Sequence, residues 1–160
     1  MSTLSPSAQK VQNILNELGY KSTVIEFAES TRTAQEAAQR AGCTLGQITK
    51  SLIFKGKKTG KPILVLTSGA NRVDEKRISE YAGESIGRAD ADFVRAVTGF
   101  AIGGVPPVGH LQKMETYLDE DLLQYKTIWA AAGTPNAIFE LTPNDLQKMT
   151  DGKALRVKRP

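Results

Sequence analysis

In the segment "ITKSLIFK", residues 48 to 55, a lysine falls where a strand would be apolar. Side chains on a β-strand alternate between faces, so Ile48, Lys50, Leu52 and Phe54 share one face and Thr49, Ser51, Ile53 and Lys55 the other. A register that put Lys50 in water would expose Leu52 and Phe54 with it. An ammonium among apolar groups has three outlets: it reaches water along its stem, loses its proton, or meets an anion. The third is chemistry, because a compact positive charge set in a recess is a phosphate or carboxylate ligand. A second candidate is "TGFAIGGVPPVGH", residues 98 to 110, where glycines and prolines surround a short apolar run. Gly103 and Gly104 let the backbone approach a ligand, and Pro106 and Pro107 stiffen the exit from the turn. Backbone N–H groups in such a turn can hold an oxyanion, and its carbonyls can hold hydroxyls or amines. Each stretch also has a plain structural reading, a snorkelling lysine and an ordinary loop.

Conventional side-chain catalysis is poorly provisioned. The chain has one histidine, His110, and one cysteine, Cys43, too few for a His/Cys zinc site, so no metal and no cofactor are expected. A Ser-His-Asp triad would have to use His110, and no G-x-S-x-G elbow supplies its serine. No G-x-x-x-x-G-K-[ST] phosphate loop is present. Asp90 and Asp92, and the run Asp119, Glu120, Asp121, read as solvated turns and helix N-termini. Basic residues cluster in "KGKKTGK", where Lys55, Lys57, Lys58 and Lys61 crowd a turn, and at Arg156, Lys158 and Arg159. A solvated hairpin tip and a frayed tail are the default expectation there, and contact with a phosphate backbone is the functional alternative.

These residues need a scaffold, and the pattern predicts a mixed one. Val11, Ile14, Leu15 and Leu18 have helical spacing ended by Gly19, and "STVIEF" reads as a strand. "TAQEAAQRAG" places Ala34, Ala37, Ala38 and Ala41 on one stripe and stops at Gly42. Strands follow over roughly 48–55 and 62–67, then helices in "VDEKRISEYAG" and "ADADFVRAV". "TIWAAA" and "AIFEL" are strands joined through "GTPN", and Thr142, Pro143 and Asp145 make a helix start. The expected fold is α+β: a mixed, mainly antiparallel sheet surrounded by helices, without regular βαβ alternation. At 160 residues, 40% hydrophobic and 24% charged, the chain fits a single domain over 1–160. No apolar run is long enough to span a bilayer, no secretory signal is evident, and a lone cysteine suits a reducing cytoplasm. A net charge of +4 permits a polyanionic partner without demanding one.

"TKSLIFKG", "VLTSGANRVDEKRI", "TGFAIGGVPPVGH" and "IWAAAGTPNAIFEL" resemble, in the same order, the YbaK/ProX family of aminoacyl-tRNA deacylases, free-standing relatives of the editing domain of bacterial prolyl-tRNA synthetases. The resemblance runs from about Phe27 to Leu146, and its most specific marks are the strand lysine followed by a hydroxyl residue and the G-x-x-x-P from Gly103 to Pro107. It implies a YbaK-like fold and a trans-editing hydrolase that cleaves the ester of a misacylated tRNA. Lys50 would contact the terminal adenosine phosphate, and the backbone from Gly103 and Gly104 through Val105 to Pro107 would position the ester and the attacking water. Phe27, Thr31, Ser51, Ala132 and Gly133 match positions near that pocket, while Lys55, Lys57 and Lys58 would meet the tRNA backbone. The implied partner is the acceptor end of a misacylated tRNA, tRNA-Pro by preference, with an aminoacyl-tRNA synthetase left open and neither DNA nor membrane expected. The cysteine-specific branch tends to carry a serine where this chain has Ala130, Ala131 and Ala132, so alanine, 2-aminobutyrate, serine and threonine stand beside cysteine as the amino acid removed. His110 would lie behind the site or exposed. The alternative is a pocket that binds aminoacyl-tRNA or a nucleotide without hydrolysing it.

Overall fold

The computed structural model describes residues 3–160. Its frame is one eight-stranded sheet. The strands are β1 (Val24–Glu26), β2 (Ile48–Gly56), β3 (Pro62–Ser68), β4 (Ile86–Arg88), β5 (Glu115–Asp119), β6 (Ile128–Ala131), β7 (Ala137–Leu141) and β8 (Lys153–Leu155). The helices are α1 (Pro6–Glu17), α2 (Ala34–Ala41), α3 (Glu75–Ala82), α4 (Ala91–Thr98) and α5 (Pro143–Thr150). The strand order is β1-β7-β6-β2-β3-β5-β8, with β4 joining β2 outside that path. The β1/β7, β2/β3, β2/β4 and β6/β7 pairs are antiparallel, and β2/β6, β3/β5 and β5/β8 are parallel. The expected α+β fold, mixed and mainly antiparallel, is the one observed.

Local chemistry sets the helix ends. Thr33 and Glu36 form a capping box at the start of α2, and Gly42 closes that helix in the left-handed conformation. Asp74, Asp90 and Thr142 each accept a backbone N–H at the starts of α3, α4 and α5. Period-two alternation then divides the core. Ile53, Leu64 and Leu66 face one apolar cluster together with α1 and α4, and Phe54, Ile63 and Val65 face another together with Ile78 of α3. Both faces of β2 and β3 are therefore covered, and Thr49 is only 2% exposed.

Two expectations fail, both through pairings distant in sequence. Asp119 does not lie in a solvated turn: it is 0% exposed and accepts bonds from Thr67 Oγ1 (3.2 Å), Ser68 N (3.0 Å), Asn71 Nδ2 (2.9 Å) and Asp121 N (3.0 Å). Nor is the segment 156–159 frayed. Val157 is fully buried, Val73 bridges Lys158, and Arg159 N donates to Arg72 O at 2.9 Å. By contrast, Asp90 is exposed at a helix N-terminus, as expected, and "KGKKTGK" forms the turn between β2 and β3.

Candidate active site

The sheet is interrupted at its centre. β3 runs along one edge of β2 from Thr49 to Lys55. The other edge is shared by two strands: β6 pairs with Ile48 and Thr49, and β4 pairs with Phe54, Lys55 and Gly56. Between them, Lys50, Ser51 and Leu52 have no strand partner on that side, and a cleft of about 530 Å³ opens there. Beyond Ala131 the chain leaves β2 and docks on the glycine turn, where Gly133 N donates to Gly104 O at 2.8 Å. A split between strands of one sheet is a common place for a ligand, since it offers concavity and unpaired backbone together.

Of the residues singled out by sequence, Lys50, Ser51, Thr31, Gly103 and Val105 line this cleft. Thr31 is fixed by two bonds to Pro135 O, from its N at 2.7 Å and its Oγ1 at 3.2 Å. Gly103 has φ +98°, and the Arg32 side chain lies so close that a Cβ there would sit 3.0 Å from Arg32 Nε. Gly104 faces inward: it is buried, its N donates to Ala101 O at 3.1 Å, and a Cβ would come within 2.7 Å of the Thr134 backbone. Pro107, Ala132 and Gly133 are also buried and do not line the cleft. Phe27 does not line the cleft either; it packs against the buried cluster of Ala37, Ala38, Ile48 and Ile138. Lys55, Lys57 and Lys58 lie toward the far end of β2, where Lys55 Nζ sits 4.8 Å from the Phe93 ring centroid and Glu84 holds the turn through Lys58 N and Thr59 N.

The electrostatics are one-sided. Arg32, Lys50 and Arg72 line the cleft and no carboxylate does. Among the described residues, no carboxylate lies within ion-pair distance of Lys50. Burial, then the nearby positive charges of Arg88 and Arg72, pull the Lys50 pKa below the usual lysine value. The ammonium therefore gains most from an arriving anion. Thr49 Oγ1 and Ser51 Oγ, flanking Lys50, are buried without a hydrogen-bond partner among the described residues. His110 lies outside the cleft, half-buried, with Nε2–H donating to Pro106 O at 2.7 Å. Burial holds its pKa below the usual histidine value against the opposing effect of that bond. Among the described residues, no group of three His, Cys, Asp or Glu side chains could hold a metal ion, and no helix is long and apolar enough to cross a membrane.

Sequence reasoning missed Arg32 and Arg72 as members of the site. Both come from loops, and only the loop contacts bring them to the strand lysine.

The chain belongs to the family of aminoacyl-tRNA editing domains, whose model matches residues 28–149. The chain is 32% identical over 147 residues to the uncharacterized protein YwhH of Bacillus subtilis, covering 92% of this chain and 93% of that protein. It is 29% identical over 139 residues to EbsC of Enterococcus faecalis, a candidate Cys-tRNA(Pro)/Cys-tRNA(Cys) deacylase, covering 86% and 84%. It superimposes with TM-score 0.93 and 48% identity on the crystal structure of a candidate trans-editing enzyme for prolyl-tRNA synthetase, covering 99% of this chain and 100% of that one. The proline-tRNA ligase of Limosilactobacillus fermentum matches 56% of this chain at 31% identity, over 16% of the ligase's length.

Proposed function

We propose that this protein is a trans-editing deacylase that hydrolyses the ester of a misacylated tRNA, with tRNA-Pro bearing a small wrong amino acid as its substrate. The observation that carries the reading is a cleft with three cations, no carboxylate, and the half-buried strand lysine Lys50 at the interrupted edge of β2. An RNA terminus brings a phosphate, and the charge-assisted contact compensates the desolvation that burial imposes on Lys50.

Hydrolysis here is chiefly a matter of placement. Water adds to the ester carbonyl carbon, the bond from that carbon to the ribose oxygen breaks, and a proton from the water goes to the departing ribose oxygen, which leaves as a hydroxyl. The lining holds no histidine and no carboxylate. Proton transfer is therefore assigned to the neighbouring ribose hydroxyl of the substrate, and the protein supplies position and positive potential. Gly103 presents backbone to the ester, while Gly104 and Gly133 clamp that turn from behind. The wall formed by Ala130 and Ala131 with Thr31 and Ser51 limits the size of the amino acid admitted.

The test is a deacylation panel. Purified protein is incubated with tRNA-Pro carrying alanine, 2-aminobutyrate, serine, threonine, cysteine or proline, and loss of labelled amino acid is followed. Release of one or more small amino acids with proline spared supports the reading. Binding of every charged tRNA without release of any label makes the protein a recognition module instead.

A further inference from the structure

The loop from Gly69 to Val73 carries Asn71 and Arg72 into the cleft, and it is held from two directions. On the inner side is Asp119, a fully buried carboxylate on β5. One of its oxygens, Oδ2, accepts from Thr67 Oγ1, Ser68 N and Asn71 Nδ2. Asn71 Nδ2 also donates to Asp121 Oδ2 at 2.8 Å, and the same oxygen accepts Lys158 Nζ at 2.8 Å. On the outer side the segment 157–159 lies antiparallel to the loop. Asp74 N donates to Val157 O at 2.8 Å, Arg159 N donates to Arg72 O at 2.9 Å, and Arg159 Nε donates to Val73 O at 3.2 Å. The residue bracketed by all these bonds is Arg72, whose side chain lies at the cleft mouth near enough to Lys50 to depress its pKa. Arg72 makes no ion pair among the described residues. A loop fixed this thoroughly around one free guanidinium is organised for what that guanidinium meets.

We propose that Arg72 is a second anion ligand of the cleft, taking a phosphodiester of the bound RNA end beside the phosphate met by Lys50, and that residues 157–159 with Asp119 are the positioning elements that aim it. The inference rests on the cleft being the site for an RNA terminus. A planar guanidinium binds a phosphate through paired N–H donors, so its worth depends on orientation more than that of a lysine does. Orientation is what the surrounding bonds provide.

The experiment is equilibrium binding of a fluorescein-labelled RNA microhelix with a 3′-CCA end, followed by anisotropy across a KCl series, on the full chain. Arg72→Ala should weaken binding about tenfold and reduce the slope of log Kd against log salt by about 0.7, the loss of one phosphate contact. Arg159→Pro removes the N–H that Arg72 O accepts, far from the RNA, and should show the same two changes. Arg159→Ala keeps that N–H and should have the smaller effect. In the Arg72→Ala background, Arg159→Pro should add nothing, because it acts through Arg72. If Arg159→Pro fails to fold by circular dichroism, Lys158→Gln, which breaks the ion pair to Asp121, takes its place in the same cycle. Wild-type binding that Arg72→Ala leaves unchanged, or losses that add across the cycle, overturn the inference while leaving the deacylase reading intact. Absence of RNA binding by the wild type overturns both. RNA binding with the expected cycle but no deacylation of any charged tRNA upholds the inference and removes the hydrolytic reading alone.

Discussion

Lys50 is the residue on which the site's energetics turn. A lysine whose pKa is lowered in the folded state is destabilising where it is charged: the penalty is complete below the folded pKa and is relieved as pH rises through it toward the ordinary lysine value. Replacing it therefore has opposite effects on fold and function. In Lys50→Ala, deacylation should fall by about 10- to 100-fold in kcat/KM, the worth of about 1.5–3 kcal/mol for a charge-assisted contact. Its thermal midpoint should be equal to or above that of the wild type, read by calorimetry. A marked loss of melting temperature would instead make Lys50 structural. His110 gives the second expectation at this scale. Its folded pKa lies below the ordinary value, so the unfolded chain takes up a proton first as the solution is acidified, and the resulting loss of stability begins near the ordinary histidine value. Melting followed from neutral pH down through that value should show a decline of at most about 1.4 kcal/mol per pH unit from this group, absent in His110→Gln. Because His110 does not line the cleft, the pH profile of deacylation should carry no step from it.

Among the elements, the glycine turn and the β6/β7 hairpin act as one unit. Gly103 and Gly104 are neighbours with different duties, and substitution separates them. Gly104→Ala drives a methyl into the backbone of Thr134, which cannot yield as a side chain can, and should cost about 3 kcal/mol or more, read by denaturant unfolding. Gly103→Ala meets only the Arg32 side chain, so its cost is the strain of its positive φ, of order 1–3 kcal/mol, and its larger effect should fall on kcat/KM. The sequence did not distinguish the two, because which glycine faces a ligand depends on what docks against the other. The helices were legible because their signals are local: the capping box at Thr33 and Glu36, the terminal Gly42, Gly83 and Gly99. β4, β5 and β8 were not, since each is short and owes its existence to a partner far along the chain, Ile86 to Gly56 and Tyr117 to Val65 and Lys153. The site divides in the same way. Parity on one strand was enough to single out Lys50, whereas Arg32 and Arg72 are brought in by loops held through Pro135 and through Arg159.

Over the whole molecule, positive charge occurs at two separated places along β2. The cleft cations surround residues 50–52, and the Lys57 and Lys58 turn lies roughly 20 Å further along at the usual strand rise. A substrate with a long anionic stem could engage both, with the stem bound for charge and the end bound for identity. Lys57→Ala and Lys58→Ala should each weaken binding of full-length tRNA by a similar factor whatever amino acid it carries, and reduce the salt slope by about one. Preference among amino acids in the deacylation panel should not shift. Equal effects on the short microhelix would show that the turn does not track the stem.

The shared edge of β2 also has a consequence for how the protein is made. β2 finds β3 almost at once across a tight turn, but β6 lies roughly eighty residues downstream, about 4–16 s at ribosomal rates of about 5–20 residues per second. For that interval the Ile48–Thr49 end of an apolar strand stands with one edge unpaired, a template on which another nascent chain could pair. The half-buried cation at Lys50, next to that end, is the kind of inward charge that discourages such pairing, so the residue proposed to receive the RNA end would also guard the newborn chain against aggregation.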